Sequence, residues 1–237
     1  AYHANVRPNK IAIRDLSINK ELTYSELDIR SNKLAEWLQK NGVGKGDRVA
    51  ILSHNCAEFF ELEFACAKIG AVELPLNWRL TKPELEYILN DSTPTILIYD
   101  SAFLDISLEL QRDCQIKESL QIDNEDSSSQ YESALKESNG KFEEVTTTHD
   151  DLIMIMYTSG TTGHPKGAMI NHRMQLYNCI NLAAPAFVSP ETVQLVVLPL
   201  FHTGGMNCYA NPVLHAGGEL ILIREFDPGL ALSILGN

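Results

Sequence analysis

The sequence is short of basic residues and of long apolar runs. Lysine and arginine number 19 against 31 aspartates and glutamates, which gives a formal net charge of −12. A field of that sign disfavours nucleic acid and anionic membrane surfaces as partners, because both carry negative charge themselves. It leaves room for a small anionic ligand, since local donors can override the field of the whole chain.

No apolar stretch reaches the roughly 18 residues that a membrane-spanning helix needs. The opening stretch AYHANVRPNK has no apolar segment of the kind that a signal peptide carries. We therefore expect no transmembrane segment and a cytoplasmic location.

The cysteines are too scattered for a CxxC metal or redox pair: Cys56, Cys66, Cys114, Cys179 and Cys208. An odd, dispersed set of this kind predicts reduced thiols buried as small apolar side chains.

Apolar residues make up 44% of the 237 residues, enough for a sizeable core. Helical and strand-like patterns alternate through residues 1–123 and again through 150–237, which predicts a layered α/β fold with largely parallel sheets. Between them, 124–149 is acidic and rich in serine, and we interpret it as a linker carrying one short helix. The sequence thus predicts two α/β sub-structures, of which the second is incomplete.

Several helix boundaries can be read directly from capping signals. Thr23 with Glu26, and Thr81 with Glu84, have the spacing of a capping box at the start of a helix. A further helix is predicted over GGMNCYANPVLHAGG, interrupted near Pro212.

The most distinctive stretch is the loop from Thr158 to Gly167, which follows a predicted strand and is expected to precede a helix. Its composition suits a phosphate group, because glycines let backbone N–H groups converge on an anion while hydroxyls and a lysine add donors and charge. The candidate ligands are Thr158, Ser159, Gly160, Thr161, Thr162, Gly163 and Lys166. Neither the common NTPase spacing nor the dinucleotide pattern is present. The residues alone leave open a phosphate loop of another kind or a Ser/Gly-rich surface connection.

The stretch YTSGTTGHPKGA resembles the signature loop of the AMP-forming adenylating enzymes, a superfamily that includes acyl-CoA synthetases and peptide synthetase adenylation domains. The segments ELTYSEL, GVGKGDRVAIL, AVELPLNWRLTKPELEYILNDS and LPLFHTGGM resemble acyl-CoA synthetase segments that occur in the same order. The resemblance therefore covers essentially the whole chain. It implies that the chain is part of the large N-terminal domain of an acyl-CoA synthetase.

The resemblance implies a two-step reaction with ATP, Mg²⁺ and CoA. A carboxylate attacks the α-phosphate to give an acyl-adenylate and pyrophosphate, and the CoA thiol then displaces AMP. The loop residues would hold the β- and γ-phosphates, Lys166 would assist, and the Thr161 hydroxyl would lie near the metal. The expected partner is a small carboxylic acid, with fatty acids favoured; self-association into a homodimer is left open.

A histidine follows the next predicted strand, in LPLFHTGGM. By itself, such a histidine is usually structural, although a position at the carboxyl edge of a sheet suits a ligand crevice. The resemblance implies that His202, Thr203 and Gly204 line the acyl pocket. No acid–base role is expected, because the attacking carboxylate is already ionised near neutral pH.

The family motifs for the adenine pocket, the magnesium-binding glutamate, the ribose-binding aspartate and the catalytic lysine do not occur before Asn237. We therefore assign no catalytic residue within this chain and expect it to be an N-terminal fragment that is inactive alone. Two alternatives are an amino-acid-activating adenylation domain and a non-catalytic nucleotide-binding module.

Overall fold

A computed structural model describes residues 1–123, 129–158 and 164–236. They form two compact units, each built from separate stretches of the chain. The first unit contains 1–27, 54–57 and the residues from 175 on, and the second contains 28–53 and the described parts of 58–174.

Each unit is organised around one β-sheet. The strands are β1 (Ile11–Asp15), β2 (Lys20–Thr23), β3 (Arg48–Leu52), β4 (Val72–Pro75), β5 (Ile96–Asp100), β6 (Glu118–Ile122), β7 (Leu152–Thr158), β8 (Lys166–Asn171), β9 (Val193–Val196) and β10 (Glu219–Leu222). The first unit has the order β2-β1-β10-β9, and the second has the order β6-β5-β3-β4-β7-β8. Neighbours pair in parallel, except that β1–β2 and β7–β8 are antiparallel. The predicted α/β fold with largely parallel sheets is confirmed.

Helices connect most of these strands. They are α1 (Tyr2–Val6), α2 (Tyr24–Lys40), α3 (Glu58–Ile69), α4 (Lys82–Ser92), α5 (Leu104–Asp113), α6 (Gln130–Glu137), α7 (His172–Ala183), α8 (Asn211–Ala216) and α9 (Pro228–Leu235), with a 3₁₀ turn at Ser101–Phe103 and a π-helix at Gly204–Ala210. Both predicted capping boxes are present, because the backbone N–H of Thr23 donates to Glu26 at 2.8 Å and that of Thr81 donates to Glu84 at 2.7 Å.

One apolar cluster of the second unit lies between its sheet and α4. Leu52, Leu74 and Leu97 on the strands pack with Leu85 and Leu89 of the helix, and all five are buried. Burial of this kind, at about 25 cal/mol per Å² of apolar surface, fixes α4 against the sheet.

One sequence prediction of local structure was wrong. The glycine-rich loop leads into strand β8 rather than a helix, because Lys166–Asn171 find backbone partners on β7. Helix α7 begins later, where the Asn171 side chain caps it by accepting from the Met174 N–H at 2.8 Å. The interruption predicted near Pro212 appears as a change from the π-helix Gly204–Ala210 to the α-helix α8 directly before that proline, whose missing N–H cannot continue the π-helical pattern.

The described part of the predicted linker, 129–149, is held against helix α2. Glu36 Oε2 accepts from the backbone N–H groups of Asn139 at 2.8 Å and Lys141 at 3.0 Å. The side chain of Gln39 exchanges two hydrogen bonds of 2.8 Å with the backbone of Glu143. Strands on either side of 124–149 share one sheet, through the β4–β7 pairing. The domain boundaries predicted at that segment stay a prediction. The β4–β7 pairing joins two strands that the prediction assigns to different sub-structures.

The five cysteines are free. Cys56, Cys66 and Cys179 are buried, whereas Cys114 is partly exposed and Cys208 is exposed. Cys208, which lies in the π-helix, departs from the expected burial. No helix among the described residues is both long enough and apolar enough to cross a bilayer.

Candidate functional site

The glycine-rich loop connects β7 to β8 in an antiparallel hairpin of the second unit. Thr158 at the end of β7 is the register partner of Lys166 at the start of β8. The predicted ligands between them lie outside the described residues: Ser159, Gly160, Thr161, Thr162 and Gly163. The hairpin therefore brings together the first and last of the predicted phosphate-binding side chains.

Thr158 and Lys166 are both exposed at the open end of the hairpin. Within the part of the chain that the structure describes, Lys166 makes no ion pair. A hydroxyl and an ammonium facing each other across two strand ends are suitable donors for a phosphate group, because both can hydrogen-bond to its oxygens and the lysine neutralises charge.

Helix α4 contacts this hairpin at two points, one near each end of the connection. The Tyr157 hydroxyl donates to Asp91 Oδ2 at 2.5 Å. On the other side, the His164 ring stacks on Tyr87, with centroids 4.8 Å apart and planes at 21°. Burial raises the pKa of Tyr157, and the Asp91 carboxylate beside it adds to the rise, so the hydroxyl stays protonated and remains a donor.

Sequence reasoning missed these four side chains. The available signal was the spacing of Tyr87 and Asp91, which are four residues apart and therefore lie on one face of α4. The spacing alone does not say what that face contacts.

Gly167 lets the Tyr157 ring lie across the hairpin. The two residues are register partners, and a Cβ at position 167 would come within 3.3 Å of the Tyr157 ring and 2.9 Å of Ile155 Cγ2. Real Cβ contacts essentially never fall below 3.0 Å. A Cβ at position 167 would therefore have to displace Ile155 Cγ2 and shift the Tyr157 ring by a few tenths of an ångström, so this packing favours glycine.

His202 belongs to a separate turn in the first unit. Its Nδ1 accepts a hydrogen bond from the backbone N–H of Gly204 at 3.1 Å. An acceptor at Nδ1 means that the proton of the neutral ring is on Nε2. Because His202 is exposed, Nε2–H is available as a donor, and the structure brings His202, Thr203 and Gly204 together in one turn.

The turn leads directly into the π-helix Gly204–Ala210. Gly205 lies so close to the segment after β9 that a Cβ there would lie 2.3 Å from the carbonyl oxygen of Pro199. Asn207 Nδ2 lies 3.3 Å from Thr203 Oγ1, and Asn178 Nδ2 donates to the Asn207 carbonyl at 2.6 Å. π-helical turns of this kind are frequent at functional sites.

Asn55 fixes the segment that precedes His202. This buried side chain accepts from the Leu200 N–H at 2.9 Å and donates to the Leu198 carbonyl at 3.1 Å. Its Nδ2 also lies 3.4 Å from the Ile223 carbonyl. The Asn55 amide thus hydrogen-bonds to backbone groups of two segments, the one between β9 and His202 and the one just after β10.

The described residues contain no group of three or more His, Cys, Asp or Glu side chains that could hold a metal ion. Thr161, the predicted magnesium-side hydroxyl, lies outside those residues.

With Thr158 and Lys166 at the open end of its hairpin, the α/β structure is that expected of a phosphate-binding protein. Comparison with known proteins identifies the family. The sequence matches the family described as AMP-binding enzyme over residues 1–235, and the chain belongs to that family. Its relatives include acyl-CoA ligases, and the chain corresponds to an N-terminal part of such enzymes.

Among these relatives is a feruloyl-CoA synthase of an Amycolatopsis species, 35% identical over 97% of this chain and 44% of that protein. A long-chain-fatty-acid–CoA ligase, FadD13 of Mycobacterium tuberculosis, is 32% identical over 98% of this chain and 46% of that protein. The crystal structure of ATP-bound MatB from Rhodopseudomonas palustris superposes with a TM-score of 0.87 at 30% identity, covering 99% of this chain and 47% of the other. The chain thus spans less than half the length of each of these three proteins.

Proposed function

We propose that the complete protein is an ATP-dependent, AMP-forming acid–CoA ligase. The observation that carries the proposal is the pairing of Thr158 with Lys166 at the mouth of the hairpin, in a chain that belongs to the AMP-binding enzyme family. Its relatives named as CoA ligases support the same reaction class.

In the proposed reaction, a carboxylate oxygen attacks the α-phosphorus of ATP and the bond to the β-phosphate oxygen breaks, releasing pyrophosphate. The CoA thiol, losing its proton, then attacks the acyl carbon and AMP leaves. Residues 158–163 and Lys166 would hold the β- and γ-phosphates, where donors stabilise the charge that develops on pyrophosphate. Magnesium bound to the phosphates would supply further charge neutralisation.

The turn at His202 would form part of the wall around the acid. A fatty or similarly apolar acid is the substrate class we favour, with support from the relative that is named for long-chain fatty acids. Another relative is named for an aromatic acid, so aryl acids are the competing class.

Carboxylate-dependent exchange of labelled pyrophosphate into ATP by the complete protein tests this function. Fatty acids, hydroxycinnamic acids and amino acids would be compared at equal concentration, with and without EDTA. We expect exchange with an apolar acid, dependence on Mg²⁺, and acyl-CoA formation when CoA is added. Exchange with amino acids alone would replace the proposal with an amino-acid-activating enzyme, and ATP binding without exchange would indicate a non-catalytic module.

We further propose that residues 1–237 alone do not form acyl-CoA, since they span 44% of the feruloyl-CoA synthase they match. Acid-dependent AMP formation by this segment would contradict that proposal. We also place the protein in the cytoplasm, in keeping with its five free thiols. Fractionation of cells that produce the complete protein tests this location.

A further inference from the structure

Helix α4 contacts the hairpin at two points, one near each end of the connection between its strands. One point lies on β7 just before the connection, where Tyr157 donates to Asp91, and the other lies near the end of the connection, where His164 stacks on Tyr87. Tyr157 is adjacent to Thr158, and His164 lies two residues before Lys166. Both predicted phosphate ligands of the described hairpin are thus next to a contact with the same helix.

The helix is itself a firm support. Its first turn is closed by the Thr81–Glu84 capping box, and its apolar face, including Leu85 and Leu89, is buried against the sheet. A side chain anchored to α4 is therefore anchored to the core of the second unit. Gly167 adds to this arrangement, because its lack of a Cβ lets the Tyr157 ring pack across both strands.

The chemistry of the contacts favours positioning over direct phosphate binding. Asp91 is an anion and would repel a triphosphate, whereas its oxygen is well placed to receive the Tyr157 hydroxyl at 2.5 Å. His164 uses the face of its ring against Tyr87, an interaction that needs an aromatic ring but no charge.

We propose that α4 is a brace that holds Thr158 and Lys166 in place for the phosphates of ATP. This inference rests on the proposed function and adds to it a set of positioning residues outside the phosphate loop. They are Tyr87, Asp91, Tyr157 and His164.

The hydrogen-bond anchor is tested in the complete protein by Tyr157→Phe, Asp91→Ala and Asp91→Asn. The first two remove the bond, and we expect the KM for ATP in pyrophosphate exchange to rise roughly threefold to tenfold, the range that corresponds to one side-chain hydrogen bond. Asp91→Asn keeps an acceptor oxygen and removes the charge, so it should restore the wild-type KM. The KM for the carboxylic acid should stay unchanged throughout.

The stacking anchor is tested by His164→Ala and His164→Phe. Alanine removes the stack and should raise the KM for ATP by roughly twofold to tenfold, the range expected for one aromatic pair. Phenylalanine preserves the stack without an ionisable ring and should restore the wild-type value. Asn90→Ala, at an exposed position of the same helix, is the matched control.

The two KM values separate positioning from a general loss of structure. A variant that merely unfolds lowers the active fraction and hence the apparent kcat, with both KM values unchanged, and that result would overturn the brace. Equal losses in His164→Ala and His164→Phe would also overturn it, because they would make His164 a direct ligand. Wild-type protein that neither binds ATP nor exchanges pyrophosphate would instead overturn the proposed function, and the brace with it. ATP-dependent exchange in the wild type with unchanged KM values in every variant would leave the function standing and refute the brace alone.

Discussion

The side-chain oxygen of Asn55 accepts a hydrogen bond from the backbone N–H of Leu200 at 2.9 Å, although the residues are 145 positions apart in the chain. Its amide nitrogen donates to the Leu198 carbonyl. The strand end that leads to His202 is thus held by a residue from the loop after β3. A substitution at Asn55 should therefore change the position of His202, although the two side chains are linked only through the backbone of Leu198 and Leu200.

Replacing Asn55 by leucine should destabilise the first unit, because it leaves the buried Leu200 N–H without this partner and removes the hydrogen bond to the Leu198 carbonyl. A buried unsatisfied group costs about 1–3 kcal/mol. Urea unfolding of the complete protein, followed by the fluorescence of a probe in the first unit, measures the change. Asn90→Leu on the exposed side of α4 is the control, and equal stability of the two variants would contradict the role of Asn55.

Replacing Gly205 by alanine should destabilise the π-helical turn. The new Cβ would lie 2.3 Å from the Pro199 carbonyl oxygen, a backbone atom that cannot rotate away. Overpacking of this kind costs about 1–3 kcal/mol. Gly204→Ala is the matched control, since its Cβ would meet the His202 side chain at 3.3 Å and that ring can shift. Thermal unfolding should rank Gly205→Ala well below Gly204→Ala, and the reverse order would show that the turn is not close-packed.

Replacing Lys166 by alanine should weaken ATP binding by the complete protein. Hydrogen bonds to charged groups contribute about 1.5–3 kcal/mol, which corresponds to a rise in the KM for ATP of roughly tenfold to 150-fold. Lys166→Arg should retain part of the affinity, because it keeps the charge but changes its geometry. Lys33→Ala, elsewhere in the second unit, controls for the loss of one positive charge. A KM for ATP that is the same in Lys166→Ala and Lys33→Ala would remove Lys166 from the phosphate site.

Acid should weaken the attachment of residues 139–141 to helix α2. The Lys40 ammonium and the N–H groups of Lys141 and Asn139 hold the pKa of Glu36 at about 2, below its ordinary 4.5. Because the folded-state pKa is lowered, the stabilisation is fully present above pH 4.5 and is lost as the pH falls toward 2. Glu36→Gln should lower the free energy of unfolding at neutral pH and lessen its fall across that window.

The difference between the wild type and Glu36→Gln isolates this group, because Asp151 and Asp113 also have pKa values lowered to about 2 and titrate in both proteins. Urea unfolding at a series of pH values gives the two curves. Parallel curves between pH 4.5 and 2 would mean that the ionised Glu36 contributes no stability.

Local signals predicted much of the fold. The starts of α2 and α4 follow from capping boxes, in which the carboxylate of a glutamate accepts a hydrogen bond from the backbone N–H of a threonine three residues earlier. The buried strands β3 and β5 follow from short apolar runs, because strands covered on both faces need no alternation. The family could also be identified from the sequence, since its signature loop has fixed residue types.

Strand β8 was missed for the converse reason. KGAMIN has only three consecutive apolar residues, and its residues are exposed or only partly buried at the edge of the sheet. Its extended form depends on backbone hydrogen bonds to β7, which no side-chain pattern records. The same limit applies to the contacts of Tyr157 with Asp91 and of His164 with Tyr87, which join residues far apart in the chain.

The sequence by itself determined the α/β class, the helix starts and the family, because each depends on residue types within a few positions of one another. The tertiary structure alone decided that the signature loop closes a hairpin, that α4 supports both of its ends, and that Asn55 holds the turn of His202. Those features depend on distances between residues that only the packing of the chain brings together.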